Sequence, residues 1–313
     1  WGYVYDKGGV VVTHNELMRY LNIQGKKNYG YTELRDRRAS GFTNLAYSYG
    51  GKFIINAGAR YDGSNQLGSS PQARYLPSWN VSGAWNMTEE NFIRDINWIT
   101  TLRPKISYGY NGIMGPVASA ALKIYAEQTM RPSHNETANY IDALANENLT
   151  WEKMYELNVG LEYGFFNRKI SGEIAYYNRK SIDLIDLIYT SGIGGKRIKI
   201  GNIGDLKAHG VEFSLTTNNI STPDFSWTTS LNVNFHQSEI TKLQQSARIA
   251  DAISNLGAPI LGYPQRGLFS IPFAGLDKEG VPTFYGKDGE ILYDIDLQQR
   301  ENIVDYLKYE GPL

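Results

Sequence analysis

A two-residue alternation of large apolar and small polar side chains runs through most of this chain and leaves few folds open to it. In YELNVGLEYGF, Tyr155, Leu157, Val159, Leu161, Tyr163 and Phe165 share one side of an extended strand, and Glu156, Asn158, Gly160, Glu162 and Gly164 share the other. FSWTTSLNVNFH repeats the pattern, with Phe225, Trp227, Thr229, Leu231, Val233 and Phe235 against Ser226, Thr228, Ser230, Asn232, Asn234 and His236. Residues 53–62, 79–88 and 102–111 follow the same rule, and fainter versions lie at 40–49, 169–180 and 206–217. The pattern predicts about eight strands, each near the ~9–11 residues that cross a bilayer at a tilt.

The connections alternate as well. Short links fall at Gly50-Gly51, at Phe166-Asn167-Arg168 and between Asn218 and Asp224, with 89–101 of middling length. Long polar links fall at 64–77, 112–150, 181–205 and from 239 onward. Every second link of a barrel wall lies on the same side, so this segregation is what a membrane barrel demands. Asp62-Gly63 reads as a turn at which a strand leaves the membrane.

The polar rows carry Arg60, Asp62, Arg103, Lys105, Glu156, Glu162 and His236 beside Gly, Ser and Asn, which suits a wet and spacious lumen. The apolar rows carry Trp, Tyr and Phe toward their ends, as in a lipid-facing band between aromatic girdles. Trp79 and Trp85 should therefore face lipid and not a protein core. The alternatives are a structural or adhesive outer-membrane barrel and a soluble β-rich binding domain with the same rows turned inward.

Composition agrees. With 23 Tyr and 32 Gly among 313 residues, the chain is made for strands and turns. No run approaches the ~18 apolar residues of a membrane helix. The 31 basic and 32 acidic residues leave no global field for nucleic acid. The absence of cysteine removes disulfides, thiolate metal sites and Cys nucleophiles. The chain opens on WGYVYDKGG, with neither a Met nor a signal peptide, which is expected of a processed protein or an internal piece.

More specific are several motifs in a fixed order. ARYDGSNQLG, YLPSWNVSGAWNMTEENF, LRPKISYGYNG, LTWEKMYELNVGLEYGFFNRKISGEIAYYNRKSIDLI, GNIGDLKAHGVEFSL, AGLDKEGVPTFYGKDGE and YEGPL together resemble the barrel of the SusC/RagA-like TonB-dependent outer-membrane transporters of Bacteroidetes. His209 stands where that family usually has Asn. The resemblance covers residues 29–313 and implies part of a 22-stranded antiparallel transmembrane β-barrel, incomplete in this chain and without its plug. Residues 1–37 are then an extracellular loop region, 38–238 about eight transmembrane strands with long outer loops, and 239–313 an extracellular loop region before further C-terminal strands. It also implies active import of glycans or peptides across the outer membrane, a SusD-like surface lipoprotein partner, and energy from TonB through a plug domain.

No catalytic chemistry is legible. The histidines, His14, His134, His209 and His236, have no metal-ligand spacing, and SGIGGKRIKIG lacks the Ser or Thr of a phosphate loop. Neither an enzyme, a metal nor a cofactor is expected. Binding is the better use of the long loop from Asn111 to Trp151. Its Tyr125, His134, Tyr140 and Trp151 can stack on sugar or peptide groups, and Arg131 can hold a carboxylate, so these five are the candidate substrate-binding residues.

Overall fold

The protein is described by a computed structural model over residues 36–114, 120–127, 138–254 and 257–312. Its strands are β1 (Arg38–Tyr49), β2 (Phe53–Ser64), β3 (Tyr75–Trp85), β4 (Ile99–Ile113), β5 (Lys123–Glu127), β6 (Ala138–Ala143), β7 (Glu152–Phe165), β8 (Ile170–Tyr189), β9 (Ile198–Ser221) and β10 (Ser226–Leu243). Eight of them form one antiparallel sheet in the order β1-β2-β3-β4-β7-β8-β9-β10, each beside its chain neighbour, while β5 and β6 pair as a hairpin inside the long β4–β7 connection. The all-β antiparallel class is the one the alternation demands. Among the described residues, the free edges of β1 and β10 have no ladder partner, so the eight strands make an open section of wall.

The register decides which face is which. Tyr47, Ile55, Gly83, Ile106, Val159, Tyr176, Val211 and Phe235 stand opposite one another in turn across all eight strands. The adjoining row on the other face is Ala46, Asn56, Ser82, Ser107, Asn158, Tyr177, Gly210 and His236. Slipping any strand by one residue would exchange the two sets, so the sequence pattern pins this register. Among the described residues no second layer covers the apolar row: Ile106 is 53% exposed and Phe235 70%. A soluble sheet would bury these side chains, and a bare apolar face of this extent fits only a hydrocarbon surround. Trp79 is 41% exposed on that face, and Trp85 is half-buried among other rings.

Aromatic rings cluster at both ends of the band. On the short-turn side Trp85 stacks on Phe53 at 5.8 Å and meets Phe92 edge-on, and Trp98 packs on Phe165 and Phe166. On the long-loop side the pairs are Tyr61–Tyr75, Trp79–Tyr108 and Tyr110–Tyr155. Along β7, Phe165 and Tyr155 bracket ten residue steps, roughly 33 Å of strand, or ~25 Å along the normal at a ~40° tilt, which is the height of a lipid-facing band.

Gly50 and Gly51 take positive φ of 57° and 71°, making the tight β1–β2 turn that only glycine adopts without strain. The expected turn at Asp62-Gly63 is corrected: β2 continues through both residues to Ser64, and the Tyr75 ring lies over Gly63, whose added Cβ would come within 2.6 Å of it. An aromatic covering a cross-strand glycine keeps such a residue in the sheet. The real turn follows in residues 65–74, which end in the single helical turn α1 (Pro71–Arg74). A second helical turn, α2 (Asn91–Arg94), lies in the β3–β4 link.

Strands β8, β9 and β10 have 20, 24 and 18 residues. Since ~9–11 suffice to cross, their long-loop ends stand beyond the bilayer. The chain after β10 forms a small lobe with α3 (Ile249–Ala252), β11 (Gly267–Ser270), β12 (Phe273–Leu276), β13 (Pro282–Tyr285), β14 (Ile291–Leu292) and β15 (Lys308–Pro312). Its core is Ile249, Ala252, Ile260, Phe269 and Ile303. The lobe grips the β8 tip: the guanidinium carbons of Arg300 and Arg248 lie 4.2 and 5.3 Å from the Tyr189 ring centre, and the Tyr189 hydroxyl donates to Asp251.

Candidate functional site

The polar face of the wall is a charge-compensated surface. Arg179 donates through Nε to Glu156 on the neighbouring strand at 2.8 Å, and Arg103 donates through Nη2 to Glu162, also on the neighbouring strand. Arg60 bonds both carboxylate oxygens of Asp62 within β2. Lys105 does not use its nearest neighbour; it crosses β7 to reach Glu173 on β8 at 2.7 Å. Gly160 makes that crossing possible, because a Cβ there would sit 3.0 Å from the Lys105 Cε carbon. Tyr177 likewise reaches across β9, over Gly210, to the His236 Nδ1 atom at 2.7 Å.

The cross-strand ion pairs are partly exposed, so each contributes only about 0–1 kcal/mol to stability. Their larger effect is on the face itself, which is strongly polar yet carries little net charge. Over β1–β4 and β7 the same face holds a concavity of about 520 Å³ lined in part by Asn44, Asn80, Ser107 and Asn111 and by the ion-paired Arg60 and Glu156. Its amides and hydroxyls can donate and accept beside one guanidinium and one carboxylate, each already paired.

Above this face, on the long-loop side, segments from distant parts of the sequence are tied into a collar. Leu67, Leu76, Leu149 and Trp151 form a buried cluster, with Tyr110, Met114, Ala120, Ile185 and Ile200 packed around it. The Gly68 amide donates to the Leu149 carbonyl at 2.8 Å, an approach open only to glycine, since a Cβ would lie 1.9 Å from the Glu147 carbonyl oxygen. Asn202 of β9 is the hub. Its side-chain amide donates to the Thr150 and Asp183 carbonyls at 2.9 and 2.6 Å, and its oxygen accepts from the Thr150 amide at 3.0 Å. Asn146 adds a bond to the Ile200 carbonyl at 2.8 Å. Asp183 sits at a bulge in β8 with φ of 59°, held by Lys153 at 2.6 Å and by a hydrogen bond from its backbone N–H to the Asp205 carboxylate.

The five candidate binding residues are placed unequally. Trp151 is 7% exposed and its indole N–H donates to the Arg74 carbonyl at 3.1 Å, so it anchors the base of the loop. Tyr125 and Tyr140 stand opposite each other in the register of the β5–β6 hairpin, farther out along the same loop. Arg131 and His134 lie outside the described residues. Sequence reasoning passed over Leu67, Gly68, Asn146, Leu149 and Asn202. The available signal was weak: an Asn in strand context, where amides are depleted, and lone leucines in polar loops.

Residues 2–291 match the family described as TonB dependent receptor-like, beta-barrel. The chain is 29% identical over 276 residues to TonB-dependent receptor P3 of Formosa agariphila, covering 82% of this chain and 27% of that protein. It is 32% identical over 217 residues to TonB-dependent receptor SusC of Bacteroides thetaiotaomicron, covering 67% of this chain and 21% of that one. Among solved structures, the RagAB peptide transporter superposes with a TM-score of 0.71 at 26% identity, over 85% of this chain and 30% of the other. The chain thus spans 21–27% of the length of these two curated relatives.

Proposed function

Because the chain belongs to the TonB-dependent receptor-like β-barrel family, we propose that it is a section of the wall of an active outer-membrane importer for large nutrients, glycans or peptides. The observation that carries this reading is the pair of adjoining rows, one apolar and bare, the other polar and charge-compensated, running without a break across eight strands. The wall lies in the outer membrane, and its open edges at β1 and β10 are closed by further strands, since hydrocarbon does not tolerate unpaired backbone.

In this reading the wall itself performs no chemistry. It fixes the path, the energy arrives from TonB through a plug domain, and a SusD-like lipoprotein covers the long-loop side. The relatives are receptors, and no catalytic step is part of the mechanism. Cargo recognition belongs to the 111–151 loop, with Tyr125, Arg131, His134 and Tyr140 as contacts and Trp151 as the buried post that holds the loop to the collar.

The test uses the complete protein in a bacterium that depends on it for a glycan or peptide carbon source. Removing residues 121–143 is expected to stop growth on that source while the barrel still inserts and runs as a folded band on unheated gels. Unchanged growth overturns the role of the loop, and uptake that persists without TonB overturns the import mechanism.

A further inference from the structure

Every basic side chain named above on the lumen face has an acidic partner, but the lipid face is different near its long-loop edge. There Lys180 of β8 and Lys207 of β9 stand directly opposite each other, both exposed, and neither has an acid within 4.0 Å among the described residues. Like charges opposed across a ladder destabilise a sheet unless an anion joins them. The row continues with Tyr155 of β7 beside Lys180 and Glu239 of β10 beside Lys207, leaving two lysines against one glutamate. The other charges nearby are matched: Lys153 pairs with Asp183, and Lys242 stands opposite Asp205.

Depth in the membrane follows from the register. The last fully apolar row here is Tyr176, Val211 and Phe235; the next, Asn178, His209 and Gln237, is polar; the lysines follow it. Lys180 is thus four residues past Tyr176, about 13 Å along the strand and ~10 Å along the normal at a ~40° tilt. That is the headgroup layer, and lysine stems can bend by several ångströms to reach within it. Opposed positions on adjacent strands have Cβ atoms about 5 Å apart, close enough for two ammonium groups to converge on one tetrahedral anion.

We propose that Lys180 and Lys207 form a site on the outer circumference of the wall for the phosphate of a lipid headgroup in the surrounding leaflet. Tyr155, opposite Lys180 in the register, flanks it with a ring suited to the boundary between acyl chain and headgroup. The site fixes the height and rotation of this wall section against its lipid and offsets the repulsion between the two lysines. It depends on the wall's place in the membrane and not on the identity of the cargo.

The experiment takes the complete protein into nanodiscs of phosphatidylcholine containing a minority of phosphatidate and counts retained phosphatidate by native mass spectrometry. K180Q/K207Q is expected to retain about tenfold less phosphatidate than the parent, with phosphatidylcholine unaffected. K180R/K207R, which keeps both charges, and K123Q, on the β5–β6 hairpin, are expected to retain it as the parent does. Heat-modifiable gel mobility reports that each variant is folded. Undiminished phosphatidate on folded K180Q/K207Q overturns the proposal. Displacement by inorganic phosphate as effective as by short-chain phosphatidate also overturns it, because the ligand is then a free anion and not a lipid.

Discussion

Gly210 and Gly83 are both strand-interior glycines, and alanine at the two positions should act in opposite directions. Gly210 lies on the lumen face beneath the Tyr177 ring, and a Cβ there would sit 2.5 Å from the Tyr177 hydroxyl and 2.5 Å from the Phe235 carbonyl oxygen. The tyrosine can swing away, but only by giving up its 2.7 Å bond to His236, and the carbonyl belongs to the β10 ladder and cannot. The lost bond costs about 1 kcal/mol and the forced shift about 1–3 kcal/mol. Removing a strand glycine returns about 0.5–1 kcal/mol, so Gly210→Ala should destabilise by roughly 1–3 kcal/mol. Gly83 is on the lipid face, where the Cβ meets only the Ile106 Cγ2 carbon at 3.9 Å. With no clash, Gly83→Ala should stabilise by about 0.5–1 kcal/mol. Guanidinium unfolding of the complete protein in detergent, followed by tryptophan fluorescence, gives both midpoints. A Gly210→Ala protein as stable as the parent, or a Gly83→Ala protein as damaged as Gly210→Ala, would refute the bridging role of the lumen-face glycines.

Three further outcomes are expected. Val159→Arg, near the middle of the lipid-facing band, should cost about 2–4 kcal/mol, and Asn158→Arg, one residue away on the lumen face, about 0–1 kcal/mol, measured by the same unfolding titration. Asn202→Ala removes three hydrogen bonds of the collar; amide exchange over residues 144–151 should accelerate while exchange in the middle of β7 stays unchanged. In the lobe, hydrogen bonds from Arg248 hold the Asp251 carboxyl below the usual carboxylate range. A depressed carboxylate stabilises the folded form above its unfolded pKa and loses that effect as pH falls through the folded value. Proteolysis of residues 244–312 should therefore quicken below about pH 4, and Arg248→Ala should flatten that dependence.

How much of this was readable in advance varies with position in the membrane. Residues 155–165 declare a strand and its two faces because lipid on one side and water on the other force the contrast into the sequence. Beyond the bilayer both faces are wet, the contrast fades, and the expected strand at 206–217 proves to run from Ile198 to Ser221. Asp62-Gly63 looked like a turn because the covering Tyr75 is twelve residues away and its contact is tertiary. The collar was illegible for the same reason: Leu67 and Leu149 are single leucines in polar loops, and only the fold brings them together. The lobe, expected as extracellular loop, is built from strands of two to five residues, too short to show any period.

The claim under all of this is that the apolar face of the wall meets lipid. Residues 1–313 contain no cysteine, so single cysteines carrying a nitroxide can be set along β7 without background from this section. Accessibility to oxygen, which partitions into lipid, should peak at residues 157, 159 and 161, and accessibility to a water-soluble nickel chelate should peak at 156, 158 and 162. Two interleaved waves of period two, out of phase, are the expected result. Labels at 159 and 161 that neither reagent reaches would place Val159 and Leu161 in a protein core and contradict the account.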